Sequence, residues 1–214
     1  MESRAFPLVI AAPSGAGKTS LSRTLVDRSD GLEFSVSATT RSPRPAEREG
    51  RDYHFIDDPT FDRQIVDGTL VEWAVVHGRK YGTPRRSIEE PIGRGKVVVL
   101  DIDVQGARQI RTAFPDSVLI FVLPPSVIEL TRRLSGRGSE EEAERNTRMA
   151  TAWQELGAAA EFDYVVVNDD FEAAVGALQA ILSAERHKIS RTRDFSAHVD
   201  RMREELATLL KGSG

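Results

Sequence analysis

The chain has 214 residues, 40% hydrophobic and 29% charged, which suits one compact core with room for inserted lobes. It has no cysteine for a disulfide or a thiolate metal site, and its four histidines (His54, His77, His187, His198) lack metal-ligand spacing. With net charge −4, no basic tail, no membrane-length apolar run and no signal-peptide pattern, the expectations are no nucleic-acid partner, no membrane and a cytoplasmic location.

The apolar run Leu8-Val9-Ile10-Ala11 predicts a strand over Pro7–Ala11, and Leu21 and Leu25 at helical spacing predict a helix over Lys18–Arg28. Between them lies Ala12-Pro13-Ser14-Gly15-Ala16-Gly17-Lys18-Thr19, followed by Ser20. Strand, glycine-rich turn and helix make the context of a phosphate-binding loop. Gly15 and Gly17 allow the tight turn that aims successive N–H groups at an anion, and the helix N-terminus adds partial positive charge. Lys18 can reach the β- and γ-phosphates, and the Thr19 hydroxyl can bind Mg²⁺. Ala12 stands where the pattern has its first glycine, which predicts an altered loop rather than a lost one.

Further β-type runs follow at Glu33–Ser37, Val97–Asp101, Val118–Leu123 and Tyr164–Val167, with helical patterns at Val104–Thr112, Ser126–Leu134 and Phe171–Arg186. This alternation predicts an α/β fold, a parallel sheet with helices on both faces. Residues 37–96 carry elements of their own: short strands at Arg51–Ile56 and Leu70–Val76 around a helix at Thr60–Val66. The expected organisation is therefore a core of residues 1–36 and 97–187, an inserted lobe at 37–96 and a helical extension at 188–214. Residues 136–149 are rich in glycine and charge and are expected to be an exposed, mobile segment entering a helix. In the extension, Phe195, Val199, Met202, Leu206 and Leu209 recur at helical spacing, with Asp194 or Ser196 as cap. That stripe is expected to pack on the core or on another subunit.

Of the 29 basic residues, 24 are arginine, whose planar fork pairs bidentately with phosphate. Arg41 and Arg44 flank a proline-stiffened turn and can clamp one phosphate; two solvated surface arginines are an equally simple reading of that pair alone. Tyr53 and Tyr81 can complete such a cage or simply pack.

Taken together, these stretches resemble the guanylate kinase family. The resemblance rests on the phosphate loop, Ser37-x-Thr39-Thr40-Arg41-x-x-Arg44, Gly50-Arg51-Asp52-Tyr53-x-Phe55, Glu72-Trp73, Tyr81-Gly82-Thr83, Leu100-Asp101-Ile102-Asp103-x-Gln105-Gly106, Gly136-Arg137-Gly138 and Val167-Asn168-Asp169-Asp170. They run in family order over about residues 6–187. The resemblance implies a P-loop kinase core, a GMP-binding lobe and a mobile lid, and transfer of phosphate from ATP to GMP with Mg²⁺. Residues 12–20 would hold ATP together with Arg133, Arg137 and Asn168, the last near adenine. Arg41, Arg44, Tyr53 and Tyr81 would hold the GMP phosphate; Ser37, Glu72, Thr83 and Asp103 would hold guanine; Glu47 and Asp101 would also belong to the GMP set. Arg133, Arg137 and Arg148 would surround the transferring phosphate; Lys18, Arg41, Arg44, Arg137 and Arg148 would be the catalytic set, with Thr19 and Asp101 serving the metal, Asp101 through water. GMP, dGMP and ATP are the expected partners; monomer and homo-oligomer stay open.

Elementary chemistry agrees with these roles. Guanine offers N1–H and N2–H₂ on one edge, and a carboxylate accepts both; adenine presents an acceptor at N1, which repels it. A site built to bond a donor rejects the analogue lacking it by about 10⁴ or more. An acceptor phosphate is already ionised, so no general base is needed. Two other readings stand against the enzyme. A phosphopeptide-binding module of the same fold is disfavoured by the intact Lys18-Thr19, and a kinase for a sugar bisphosphate by Glu72 and Tyr81-Gly82-Thr83.

Overall fold

The computed structural model describes residues 3–76, 78–135 and 142–212. The chain runs β1 (Pro7–Ala11), α1 (Lys18–Arg28), β2 (Leu32–Phe34), β3 (Ala38–Thr39), β4 (His54–Phe55), α2 (Asp58–Val66), β5 (Leu70–Val76), β6 (Arg79–Pro84) and α3 (Arg86–Gly93). It continues through β7 (Val97–Asp101), α4 (Val104–Ala113), β8 (Val118–Leu123), α5 (Val127–Ser135), α6 (Glu142–Gly157), β9 (Tyr164–Val167), α7 (Phe171–Arg186) and α8 (Phe195–Gly212).

Five strands form a parallel sheet in the order β2-β7-β1-β8-β9. The central strands β1, β7 and β8 are apolar at successive positions because both faces are covered. Leu8, Ile10, Val97, Val99, Ile120 and Val122 pack beneath Leu21 and Leu25 of α1 and Leu178 and Leu182 of α7. Val9, Val98, Leu100 and Leu119 face Ile88 of α3 and Ile110 of α4. Each such fully buried aliphatic side chain stabilises the fold by roughly 1.5–3 kcal/mol relative to exposure. Together they fix the C-terminal edge of the sheet, where the functional groups gather.

A second sheet, ordered β4-β3-β6-β5, is built from residues 38–84. Its small core is Ala38, Phe61 and Leu70. Asp57 caps α2, its Oδ1 accepting from the Thr60 N–H at 2.8 Å. Alternation along β5 turns Glu72 and Ala74 inward and Trp73 and Val75 outward.

Several elements depart from the sequence reading. β2 ends at Phe34 rather than Ser37, because the chain crosses to the second sheet, where the Ser37 carbonyl accepts from His54 N–H. Only His54–Phe55 of Arg51–Ile56 is strand, since Arg51 and Asp52 turn back onto the Arg48 carbonyl. Within the stretch expected to be mobile, residues 142–149 belong to α6, whose Ala, Glu, Arg and Met content favours helix; residues 136–141 lie outside the described residues. In α8, Phe195 and Val199 are half-buried. Met202, Leu206, Leu209 and Leu210 are 56–71% exposed, so the expected packing of that stripe on the core is not what forms. No helix among the described residues is long and apolar enough to cross a membrane.

Candidate active site

The phosphate loop sits where β1 gives way to α1. Gly15 and Gly17 adopt φ of 88° and 90°, conformations that a side chain would strain. Gly17 is needed for space as well: a Cβ there would lie 2.5 Å from the Asn168 side chain, which donates to the Ala16 carbonyl at 2.7 Å. Ala12 and Pro13 are buried, Ala12 within the main core, so the alanine packs where the loop leaves the strand. Thr19 and Ser20 are exposed in the first turn of α1. Lys18 reaches from that turn to the end of β7, with Nζ 2.6 Å from Asp101 Oδ1 and 2.7 Å from the Ile102 carbonyl. Loop and acid thus meet at the carboxyl edge of a parallel sheet, the usual ligand position in such folds.

Asn168 therefore lies, 5% exposed, against the loop backbone, and Arg133 donates to its carbonyl while pairing with Glu129. Arg148 is buried, with Nη2 3.2 Å from Ser14 Oγ and Nη1 3.3 Å from the Leu134 carbonyl. Arg137 lies outside the described residues.

Across the cleft, the second sheet organises Arg41. Its guanidinium pairs with Glu47 at 2.8 Å, donates to Tyr81 Oη at 3.2 Å and lies over the rings of Tyr53 and Phe55. Glu47 also accepts from the Arg44 N–H at 2.8 Å, so one carboxylate shapes the whole arginine turn, and its bond to Arg41 holds it below the usual carboxylate range. The Arg44 side chain itself is exposed. Tyr53 meets Tyr81 edge-on, and burial pushes its phenol up to about 12.

Deeper in the lobe, Glu72 is only 3% exposed. Thr83 donates to its Oε1 at 2.6 Å, and Ser37 Oγ lies 3.3 Å from Thr83 Oγ1. Burial pushes Glu72 up to about 7; Thr83 opposes this, Asp103 adds to it, and Lys18 offsets part. Asp103 caps α4 through Gly106 N–H at 2.8 Å. A Cβ on Gly106 would stand 2.6 Å from Glu72 Oε2, so this glycine makes room for the carboxylate. Glu155, whose Oε2 accepts from the Ser14 N–H at 3.3 Å, does not stand out in the sequence. A cleft of about 530 Å³ lined by Val75, Asp103, Val104, Gln105 and Glu155 runs beside these groups, within the usual range for small-molecule sites.

A glycine loop at the carboxyl edge of a parallel sheet, faced by a second sheet that carries clustered arginine and tyrosine and a buried acid, describes a P-loop kinase fold. Comparisons with known proteins agree. The sequence profile of the family described as guanylate kinase matches residues 4–185. A guanylate kinase of Rhodospirillum rubrum is 48% identical over 201 residues, covering 94% of this chain and 92% of the relative. One from Nitrobacter winogradskyi is 44% identical, covering 97% and 95%. The crystal structure of guanylate kinase from Anaplasma phagocytophilum matches with a TM-score of 0.79 at 33% identity, covering 93% of this chain and 95% of that one. The chain belongs to the guanylate kinase family.

Proposed function

We propose that the two pockets divide between them the reaction that family membership gives this chain, transfer of the γ-phosphate of ATP to GMP. The observation that carries the acceptor assignment is the buried carboxylate of Glu72, with one oxygen bonded to Thr83 and the other against Gly106. Such a carboxylate is costly unless donors reach it, and the N1–H and N2–H₂ of guanine are the donors it fits. Ser37, Thr83 and Asp103 complete the base pocket, and Arg41, Arg44, Tyr53 and Tyr81 hold the GMP phosphate. Glu47 keeps Arg41 presented, since its carboxylate fixes both the guanidinium and the backbone of the turn.

On the donor side, the loop from Ala12 to Ser20 wraps the phosphates of ATP, and Lys18 leaves Asp101 for the β/γ bridge. Arg133, Arg137 and Arg148 gather charge around the transferring group, and Asn168 steadies the loop near the adenine end. Residues 1–36 and 97–187 act as core, 37–96 as acceptor lobe and about 136–149 as lid. Catalysis is alignment and charge neutralisation, because the attacking phosphate oxygen is already ionised.

Among the described residues no group of three acidic or histidine side chains could hold a metal alone. That fits Mg²⁺, which favours phosphate oxygens and water with only one or two protein ligands. Thr19, and Asp101 through water, would be those ligands. When bound, the ion neutralises charge on the donor phosphates. dGMP is proposed as a second acceptor. The reaction belongs to purine nucleotide metabolism in the cytoplasm.

Two measurements test the base pocket. Guanosine does not titrate between about pH 6 and pH 8, so its affinity reports on the protein. With Glu72 raised to about 7 in the empty pocket, the accepting carboxylate is populated above that pH and lost below it. Guanosine should bind up to about tenfold more weakly at pH 6 than at pH 8. Calorimetry giving equal affinities at both would remove the carboxylate from recognition. Gly106→Ala should push Glu72 aside and weaken GMP binding by about tenfold or more while leaving ATP binding intact. Unchanged GMP affinity in that variant would show that the pocket does not depend on this close approach.

A further inference from the structure

Arg148 and Glu155, on one face of α6 at i and i+7, both bond Ser14 of the phosphate loop. Arg148 donates to Ser14 Oγ at 3.2 Å, and Glu155 accepts from Ser14 N–H at 3.3 Å. Between them Ala152 is 2% exposed against Leu130 and Leu134 of α5. Leu134 in turn meets Gly15, where a Cβ would stand 3.1 Å from its Cδ2. α6 is therefore seated directly on Ser14, and through α5 on Gly15, in the middle of the proposed donor site.

Glu155 is the unexpected member. Asp101, the other carboxylate at the loop, pairs with Lys18 and would serve the metal, whereas Glu155 bonds the loop backbone itself, where phosphate would bind. The loop concentrates N–H groups and Lys18 to attract anions. Empty, that positive potential needs an anionic partner, and Glu155 supplies one. Filled, a highly charged triphosphate and this carboxylate compete for the same N–H, at a separation where like charges repel.

We propose that Glu155 is a positioning residue, a carboxylate latch that holds α6 on Ser14 while the phosphate loop is empty and is expelled when a nucleoside triphosphate enters. Expulsion loosens α6 from Ser14, so the same event that loads the donor frees Arg148 to turn toward the transferring phosphate. Donor binding and the seating of α6 are then one coupled equilibrium, read at a single serine. This rests on the loop being the donor site. Burial raises the Glu155 carboxyl to about 7, opposed by the Ser14 N–H and Lys18 and reinforced by Asp103. The latch is thus fully charged only above that pH; among the described residues Lys18 and Asp103 are the charged groups that act on it, and Arg148 bonds the same Ser14.

The test uses the full chain and ATP affinity rather than turnover. At about pH 8, Glu155→Gln should bind ATP about three- to tenfold more tightly than the parent, with GMP affinity unchanged, because the amide keeps the shape and removes the repulsion. The gap should shrink toward pH 6, where the parent carboxyl is itself neutral; the titration of ATP is common to both proteins and cancels. Glu155→Ala should show the same tightening together with a lower melting temperature without nucleotide. Equal or weaker ATP binding by Glu155→Gln in a protein that melts like the parent would overturn the latch. Failure of the parent to phosphorylate GMP would instead count against the proposed function.

Discussion

Lys18→Ala is expected to lower phosphoryl transfer by about 10²–10³-fold while leaving GMP bound. Lys18 is the one lysine at the loop, and its ammonium lies 2.6 Å from Asp101 at the end of β7. In the proposed reaction that charge moves to the donor phosphates, where it is worth most as negative charge redistributes. The acceptor lobe has its own cations in Arg41 and Arg44, so it does not need Lys18 for affinity. One indirect effect is expected: Lys18 helps keep Glu72 ionised, so its loss should weaken GMP slightly near pH 7 and hardly at all near pH 8. Turnover in a coupled assay and GMP titration by calorimetry at both pH values read the two parts separately. Abolished GMP binding at pH 8 would contradict the division between loop and lobe.

Glu72→Gln is expected to weaken GMP by about 10²-fold, with ATP affinity unchanged. The amide keeps one acceptor, for Thr83 or for guanine, and turns a donor toward a base edge that also donates. Losing two charge-assisted bonds at about 1.5–3 kcal/mol each, partly replaced, gives an effect of this size. The same amide suits the N1 acceptor of adenine better than the carboxylate does, so the ratio of GMP to AMP turnover should fall. Glu72→Ala should weaken GMP at least as much and also leave the Thr83 hydroxyl, 0% exposed, without its acceptor, so its melting temperature should drop as well. GMP affinity equal to that of the parent in the Gln variant would take Glu72 out of the site.

The loop was legible because its chemistry is local: two glycines, a lysine and a threonine lie within five residues between an apolar run and a helical one. The central strands were legible because burial on both faces leaves no polar positions in Val97–Leu100 or Val118–Leu123. β6 and α3 were not. Arg79-Lys80-Tyr81-Gly82-Thr83 has no apolar alternation, and it becomes a strand only through pairing with β5 and β3. The arginine cage could be suspected, but Glu47 as its organiser could not, since the sequence does not say that one carboxylate bonds both Arg41 and the Arg44 backbone. The contacts that seat the loop, Glu155 to Ser14 and Asn168 to Ala16, span 141 and 152 residues, and no periodicity encodes such pairings. The apolar stripe of α8 was read correctly as helical, yet its leucines remain exposed, because a helical pattern specifies a face and not what covers it.

Selectivity at the base pocket is tested most directly by the rate of ADP formation from ATP and Mg²⁺ with GMP, AMP and UMP offered in turn at equal concentration. A buried Glu72 carboxylate beside Asp103 predicts rapid turnover with GMP and turnover lower by orders of magnitude with AMP and UMP. Comparable rates with GMP and AMP, or no turnover with any of the three, would contradict it.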